Sequence, residues 1–231
     1  MNRLLEVCLV ALAVTTTITP PIAAQSPAMQ KGIRVELPVA SNAIPMPDAD
    51  REDSLVVTVT GDGRVYLGIN PISPAALAEN VRDSLSSGSK KKLYIKADAR
   101  TPYANVANVL NALRAAGVEA PNLLTASQDS PEPGTLVPPR GLEVLVGESR
   151  TFGAGTPIVQ VLDSGQRRPT LQVNNDLISW TSLQSMLQQL LQNRSKKVVL
   201  VNAAGTLPFV QLVDVIDVCR SAGAKVVLVT R

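Results

Sequence analysis

The chain has 231 residues, 45% of them hydrophobic but only 3% aromatic, so any core must be built from Val, Leu, Ile and Ala. A net charge of +3 and short basic runs (Lys90–Lys92, Arg167–Arg168, Lys196–Lys197) fall short of the concentrated basic face and stacking aromatics of a nucleic-acid binder. There is no histidine, which excludes Ser-His-Asp and Cys-His catalysis, His-ligated zinc and the imidazole proton shuttle.

The first element is an apolar stretch from Leu4 to Ala24 behind a lone Arg3. Two readings stay open. It is a signal peptide with small residues at Ala23–Ala24, or a membrane anchor whose Leu4–Thr19 core ends at Pro20–Pro21. As a helix that core is short, roughly 24 Å against about 30 Å of hydrocarbon. Both readings carry the remainder of the chain across a membrane, because the positive N-terminus stays inside. Glu6 stands out, since a carboxylate in such a segment is costly unless functional or placed to reach the headgroups. Residues 1–24 are therefore expected to be an anchor or signal segment and 25–54 an extended linker.

A repeated unit follows. Leu55–Thr60 reads as a strand, Gly61-Asp62-Gly63 as a turn and Val65–Leu67 as the returning strand. Ser73-Pro74 opens a helix carrying Leu77, Val81 and Leu85 on one face. Lys92–Lys96 is the next strand. A second helix starts near Pro102, presents Val106, Val109, Leu110 and Leu113, and stops at Gly117 before a strand at Asn122–Thr125.

The order then recurs: strands at Ile158–Leu162 and Thr170–Asn174, and a Ser179-capped helix with Leu183, Met186, Leu187 and Leu190. A strand at Lys197–Asn202, a helix from Pro208–Phe209 with Leu212, Val215, Ile216 and Cys219, and a strand at Lys225–Thr230 complete it. Pro102-Tyr103 matches Pro208-Phe209, and Arg114–Gly117 matches Arg220–Gly223, all at an offset of 106 positions. Duplication is the reading that explains both the proline–aromatic start and the glycine stop.

The fold class is therefore α+β, with two tandem ββαβαβ domains, each with two helices on one sheet face. The expected boundaries are 55–125 and 141–231, joined by a Pro-rich linker over 126–140. Units of about 70 residues are marginal alone, so packing between them or oligomerisation is expected. Cys219 falls on the apolar stripe of its helix and reads as a buried thiol, not a partner of Cys8. Trp180 and Met186 read as packing residues.

Before the first unit, Ile33, Val35 and Leu37 alternate up to Pro38, a pattern suited to pairing as a partner strand. This stretch, the hairpin from Leu55 to Leu67 and the block Tyr94-Ile-Lys-Ala-Asp98-Ala-Arg-Thr-Pro102-Tyr103 resemble the ExbD/TolR family. The second unit resembles it more weakly, with Ala204 where the first has Asp98, and with Gly147 in the proline position after Leu142, Val144 and Val146.

The resemblance implies a component of a proton-motive-force-coupled envelope complex. It would be a single-pass inner-membrane protein with its domains in the periplasm, and a homo-oligomer. Its implied partners are an ExbB/TolQ-like channel subunit and a TonB-like protein or peptidoglycan. It places Glu6 at the family's proton-accepting carboxylate and makes Asp98 and Tyr103 a possible interaction surface. The alternative is a secreted periplasmic binding module without motor activity. No metal or organic cofactor is implied and catalysis is not expected. Candidate carboxylates such as Asp62, Asp98 and Asp163 exist, but two sit in turn sequences where Asp is expected structurally, and Gly153-Ala-Gly155 lacks the setting of a phosphate loop.

Overall fold

A computed structural model describes residues 32–86, 92–127, 138–153 and 155–230. The N-terminal segment, with Glu6 and Cys8, lies outside the described residues, and so does most of the Pro-rich stretch.

The first sheet contains β1 (Ile44–Pro45), β2 (Leu55–Val59), β3 (Val65–Leu67), β4 (Asn70–Pro71), β5 (Leu93–Ala97), β6 (Asn122–Thr125) and β7 (Arg140–Glu143). The second contains β8 (Leu145–Gly147), β9 (Ile158–Leu162), β10 (Thr170–Val173), β11 (Asp176–Ile178), β12 (Val198–Ala203) and β13 (Lys225–Val229). The helices are α1 (Pro74–Ser86) and α2 (Tyr103–Ala115), then α3 (Trp180–Leu191) and α4 (Phe209–Ser221). The spatial orders are β1-β7-β6-β5-β2-β3-β4 and β11-β10-β9-β12-β13-β8. Within each unit the expected ββαβαβ run is present, as β2-β3-α1-β5-α2-β6 and β9-β10-α3-β12-α4-β13. β2, β5 and β6 are mutually parallel, as are β9, β12 and β13, and the hairpins β2–β3 and β9–β10 are antiparallel.

Three short strands go beyond the sequence expectation, β1, β4 and β11, while β7 and β8 take up the alternation at Leu142, Val144 and Val146. None of β1, β4 and β11 exceeds three residues, too few to show a period. The turn into β11 is made by Asn174 and Asn175, both at positive φ (51° and 77°), the pair a tight hairpin needs. Residues 140–147 bridge the sheets. β7 pairs with β6 of the first, β8 pairs with β13 of the second, and Val144 marks the changeover.

The helix stripes are buried as their spacing requires. Val106, Val109, Leu110 and Leu113 on α2, and Leu212, Val215, Ile216 and Cys219 on α4, are fully inaccessible. At about 1.5–3 kcal/mol per fully buried aliphatic side chain, these two stripes are a large part of what holds the fold. They belong to one apolar cluster that runs through both units, with Leu142 and Val146 of the bridging segment inside it.

The two helix starts meet at a seam. Tyr103 N–H donates to the Leu207 carbonyl (2.7 Å) and Ala104 N–H to that of Gly205 (2.9 Å). Reciprocally, Phe209 N–H donates to the Thr101 carbonyl and Val210 N–H to that of Ala99, both at 2.9 Å. Each bond maps onto its counterpart at the same offset of 106. The first N–H groups of a helix have no partner within it, and Pro102 and Pro208 offer no side-chain cap. Each helix is capped by the loop carbonyls of the other unit. The arrangement is that of an isologous two-fold dimer folded into one chain.

Candidate functional site

The outer face of the first sheet, away from the helices, carries Val56, Thr58, Tyr94, Lys96 and Leu124, all buried. Alternation along the strands puts them there, opposite Val57, Ile95 and Leu123 of the core. Two stretches cover them. Met46 and Ala49, on and beside a short 3-10 helix at Pro47–Asp50, pack on Val56, Tyr94 and Leu124, with Leu37 alongside. Met46 lies over Gly141, where a Cβ would come within 2.6 Å of its sulfur and 2.5 Å of the Leu123 carbonyl oxygen.

Residues 32–39 form a strap across the ends of the strands. Gly32, at φ +81°, lies against Gly68 and Thr58, and the carbonyl of Pro38 accepts from Ala126 N–H (2.9 Å). Val39 bridges to Ala126 in parallel. Midway, Ala99 N–H donates to the Glu36 carbonyl (2.7 Å), and Glu36 N–H donates to Asp98 Oδ2 (3.3 Å). The strap candidates Ile33, Val35, Leu37 and Pro38 therefore lie on this chain's own sheet. Val35 and Pro38 are buried, and Ile33 and Leu37 half-buried.

Asp98 is the clasp. Its side chain is 5% exposed, receives the N–H of Arg100 at Oδ1 (3.0 Å) and pairs with the Arg100 guanidinium at 3.0 Å. The same guanidinium reaches Glu36 at 3.6 Å. The Arg100 hydrogen bond holds the Asp98 carboxyl below its ordinary range, against the opposing effect of burial. Tyr103 sits at the seam, not on this surface. It is 3% exposed, its hydroxyl finds no partner among the described residues, and burial pushes its pKa up to about 12. The structure thus joins Asp98 to the strap and assigns Tyr103 to the joint between units.

Lys96 was not singled out by sequence reasoning. Its one signal is a lysine inside a strand whose five residues are all buried. Burial pulls its pKa down to about 8, with Asp50 opposing that shift. A cleft of about 490 Å³ lies where the two sheets meet, lined by Met46, Lys92, Tyr94, Glu143, Arg220 and Lys225 among others. Lys92 is paired with Asp48 (2.7 Å), and Arg220 donates to the Glu143 carbonyl (3.0 Å). Among the described residues no cluster of His, Cys, Asp and Glu is placed to hold a metal ion.

The geometry is that of a duplicated, helix-capped pair with a strapped outer face, and comparison with known proteins gives it a family. The family model for the biopolymer transport protein ExbD/TolR matches twice, over residues 5–128 and 131–231. The chain belongs to the ExbD/TolR family. A curated relative, the biopolymer transport protein ExbD of Pseudomonas aeruginosa, is 25% identical over 126 residues, covering 54% of this chain and 87% of its own length. The two matches divide the ExbD/TolR-like sequence between the two units joined at the seam. Among the described residues no helix is long and apolar enough to cross a membrane.

Proposed function

We propose that this chain is a component of a proton-motive-force-coupled envelope complex of the ExbB/ExbD or TolQ/TolR type, supporting biopolymer or protein transport through protein–protein contacts. The supporting observation is the family match, which begins at residue 5 and extends through both units. In this reading residues 1–24 anchor the chain in the inner membrane and both units work in the periplasm. The partners are an ExbB/TolQ-like channel subunit and, beyond the membrane, a TonB-like protein or peptidoglycan. The chain is a homo-oligomer in this reading.

Glu6 is the proton carrier in this proposal. A carboxyl in a low-dielectric channel has its pKa raised toward the working range, so it can load and release protons. Co-expression with an ExbB/TolQ-like subunit from the same genome, followed by affinity purification from detergent, is the test. A stable complex is expected, with proton-driven uptake lost in Glu6→Gln although the complex still forms. A mature chain that begins at Gln25, or uptake unchanged in Glu6→Gln, would end the proton-carrier reading.

A further inference from the structure

The cleft of about 490 Å³ where the two sheets meet draws its walls from both units. Its volume falls within the roughly 300–1,000 Å³ of small-molecule sites. Ile44, Met46, Val144, Leu145 and Val226 give it apolar walls. Ile44 is 37% exposed, an apolar side chain left in water at this site. Tyr94 lines the cleft as well. The residue is 2% exposed, yet its hydroxyl has no hydrogen-bond partner among the described residues.

The charges around the cleft are unbalanced, and the duplication shows where the imbalance arose. Arg114 and Arg220 hold matching places in the last turns of α2 and α4. Arg114 is neutralised by Glu148 at 3.0 Å. Arg220 has no carboxylate within ion-pair distance among the described residues and donates instead to the Glu143 carbonyl (3.0 Å). The second change lies two residues past the glycine that stops each helix. Glu119 stands there after Gly117, and Lys225 after Gly223. Lys225 is exposed, lines the cleft and has no ion pair among the described residues. The third cation, Lys92, is paired with Asp48 at 2.7 Å. Glu143 is the other acid of the lining, so three cations face two acids and one positive charge is left over.

We propose that this cleft binds a small amphiphilic anion, with its acid group on Arg220 and Lys225 and its apolar body against Ile44, Val144 and Leu145. A guanidinium and an ammonium beside low-dielectric walls hold a carboxylate or phosphate more strongly than they would in open water. The Tyr94 hydroxyl is a further donor. The volume admits a bicyclic aromatic body or one short alkyl chain, and not the paired chains of a membrane lipid. Glu143 narrows the choice to ligands with a single acid group, because it repels a second. The walls lie wholly within the two units, so this binding is independent of proton carriage by Glu6.

The test is isothermal titration calorimetry of 2-naphthoate into the full-length chain held in phosphatidylcholine nanodiscs, with empty discs as the blank. One saturable site is expected, at least about tenfold weaker for 2-naphthamide, which has the same rings and no charge. Lys225→Glu gives the second unit the acid that Glu119 gives the first, and is expected to weaken naphthoate binding at least about tenfold. Glu143→Gln removes the opposing acid and is expected to tighten binding. Both side chains are exposed, and an unchanged circular dichroism spectrum shows that the variants still fold. Repeating the titration in phosphatidylglycerol discs separates two sources of the acid group. Unchanged affinity assigns a free acid and competition assigns a lipid headgroup, and either upholds the site. Absence of saturable binding, equal affinity for 2-naphthamide, or an affinity indifferent to Lys225→Glu overturns the inference. None of these outcomes bears on complex formation with a channel subunit, so this inference and the proposed function fail separately.

Discussion

The two units agree where they touch each other and differ where they face outward. At the seam, four backbone hydrogen bonds repeat at one offset, and Tyr103 and Phe209 occupy equivalent buried positions. On the outer faces, a buried lysine and a clasped strap in one unit have as counterparts the exposed Asn202 and the unclasped Ala204 in the other. Helix N–H groups left without partners would be costly in both units alike, so the joint constrains both copies equally. The outer face carries no such reciprocal demand, and its two copies were free to diverge into different surfaces.

The seam offers the hardest test of equivalence. Phe209→Ala removes a ring that is 1% exposed beside the inter-unit hydrogen bonds, and a loss of about 3–5 kcal/mol is expected from urea denaturation. Tyr103→Ala is expected to cost a similar amount. If one change proves nearly silent, the two positions are not equivalent and the two-fold reading of the joint fails.

Lys96 gives the next largest effect and is specific to the first unit. Its folded pKa of about 8 lies below the ordinary lysine value of 10.5, so the unfolded chain binds more protons between those pH values. Stability must therefore rise as pH goes from about 8 to 10.5, and below about 8 the charge is buried at a cost that Asp50 only partly offsets. The expected gain is on the order of 3 kcal/mol. Lys96→Met should flatten that part of the profile, and the difference between the two denaturation curves isolates this residue from other groups titrating there. Asn202, its counterpart, contributes no such slope.

The clasp is a smaller effect with a sharper spatial signature. Asp98→Ala installs the residue the second unit already has at position 204 and removes the acceptor for the N–H groups of Glu36 and Arg100. A loss of about 1.5–3 kcal/mol is expected, the range for a charge-assisted bond. Amide exchange should accelerate at Glu36 and Ala99 while the second unit is unchanged. Because the folded pKa of Asp98 is lowered, its contribution is present above the ordinary carboxylate value and lost as pH falls through the folded one. Uniform acceleration of exchange across both units would show that Asp98 supports the whole fold and not the strap.

These positions also show what sequence reasoning reached. The helix stripes on α2 and α4 were legible because a 3.6-residue period extends over several turns, and the duplication because proline, aromatic and glycine recur at one spacing. The strands β1, β4 and β11 were not, because they carry no period of their own and exist only by pairing with neighbours. Ile33, Val35 and Leu37 show alternation, which says strand-like but not whose sheet is covered. Lys96 was hidden for a related reason. Both faces of β5 are buried only because the upstream stretches carrying Leu37, Met46 and Ala49 fold back over it, a contact no local pattern encodes.

The smallest expected effect asks whether the seam tolerates perfect symmetry. Tyr103→Phe gives the first unit an aromatic residue identical to Phe209. The Tyr103 hydroxyl is buried with no partner among the described residues, so removing it relieves a desolvation cost without breaking a bond. A gain of about 1 kcal/mol is expected, the low end for an unsatisfied buried polar group, visible as a rise in the melting midpoint by calorimetry. A loss of stability instead would mean that the hydroxyl has a partner in solution, a water or a residue outside the described segments. The joint would then be chemically asymmetric at the residue where its geometry is most nearly two-fold.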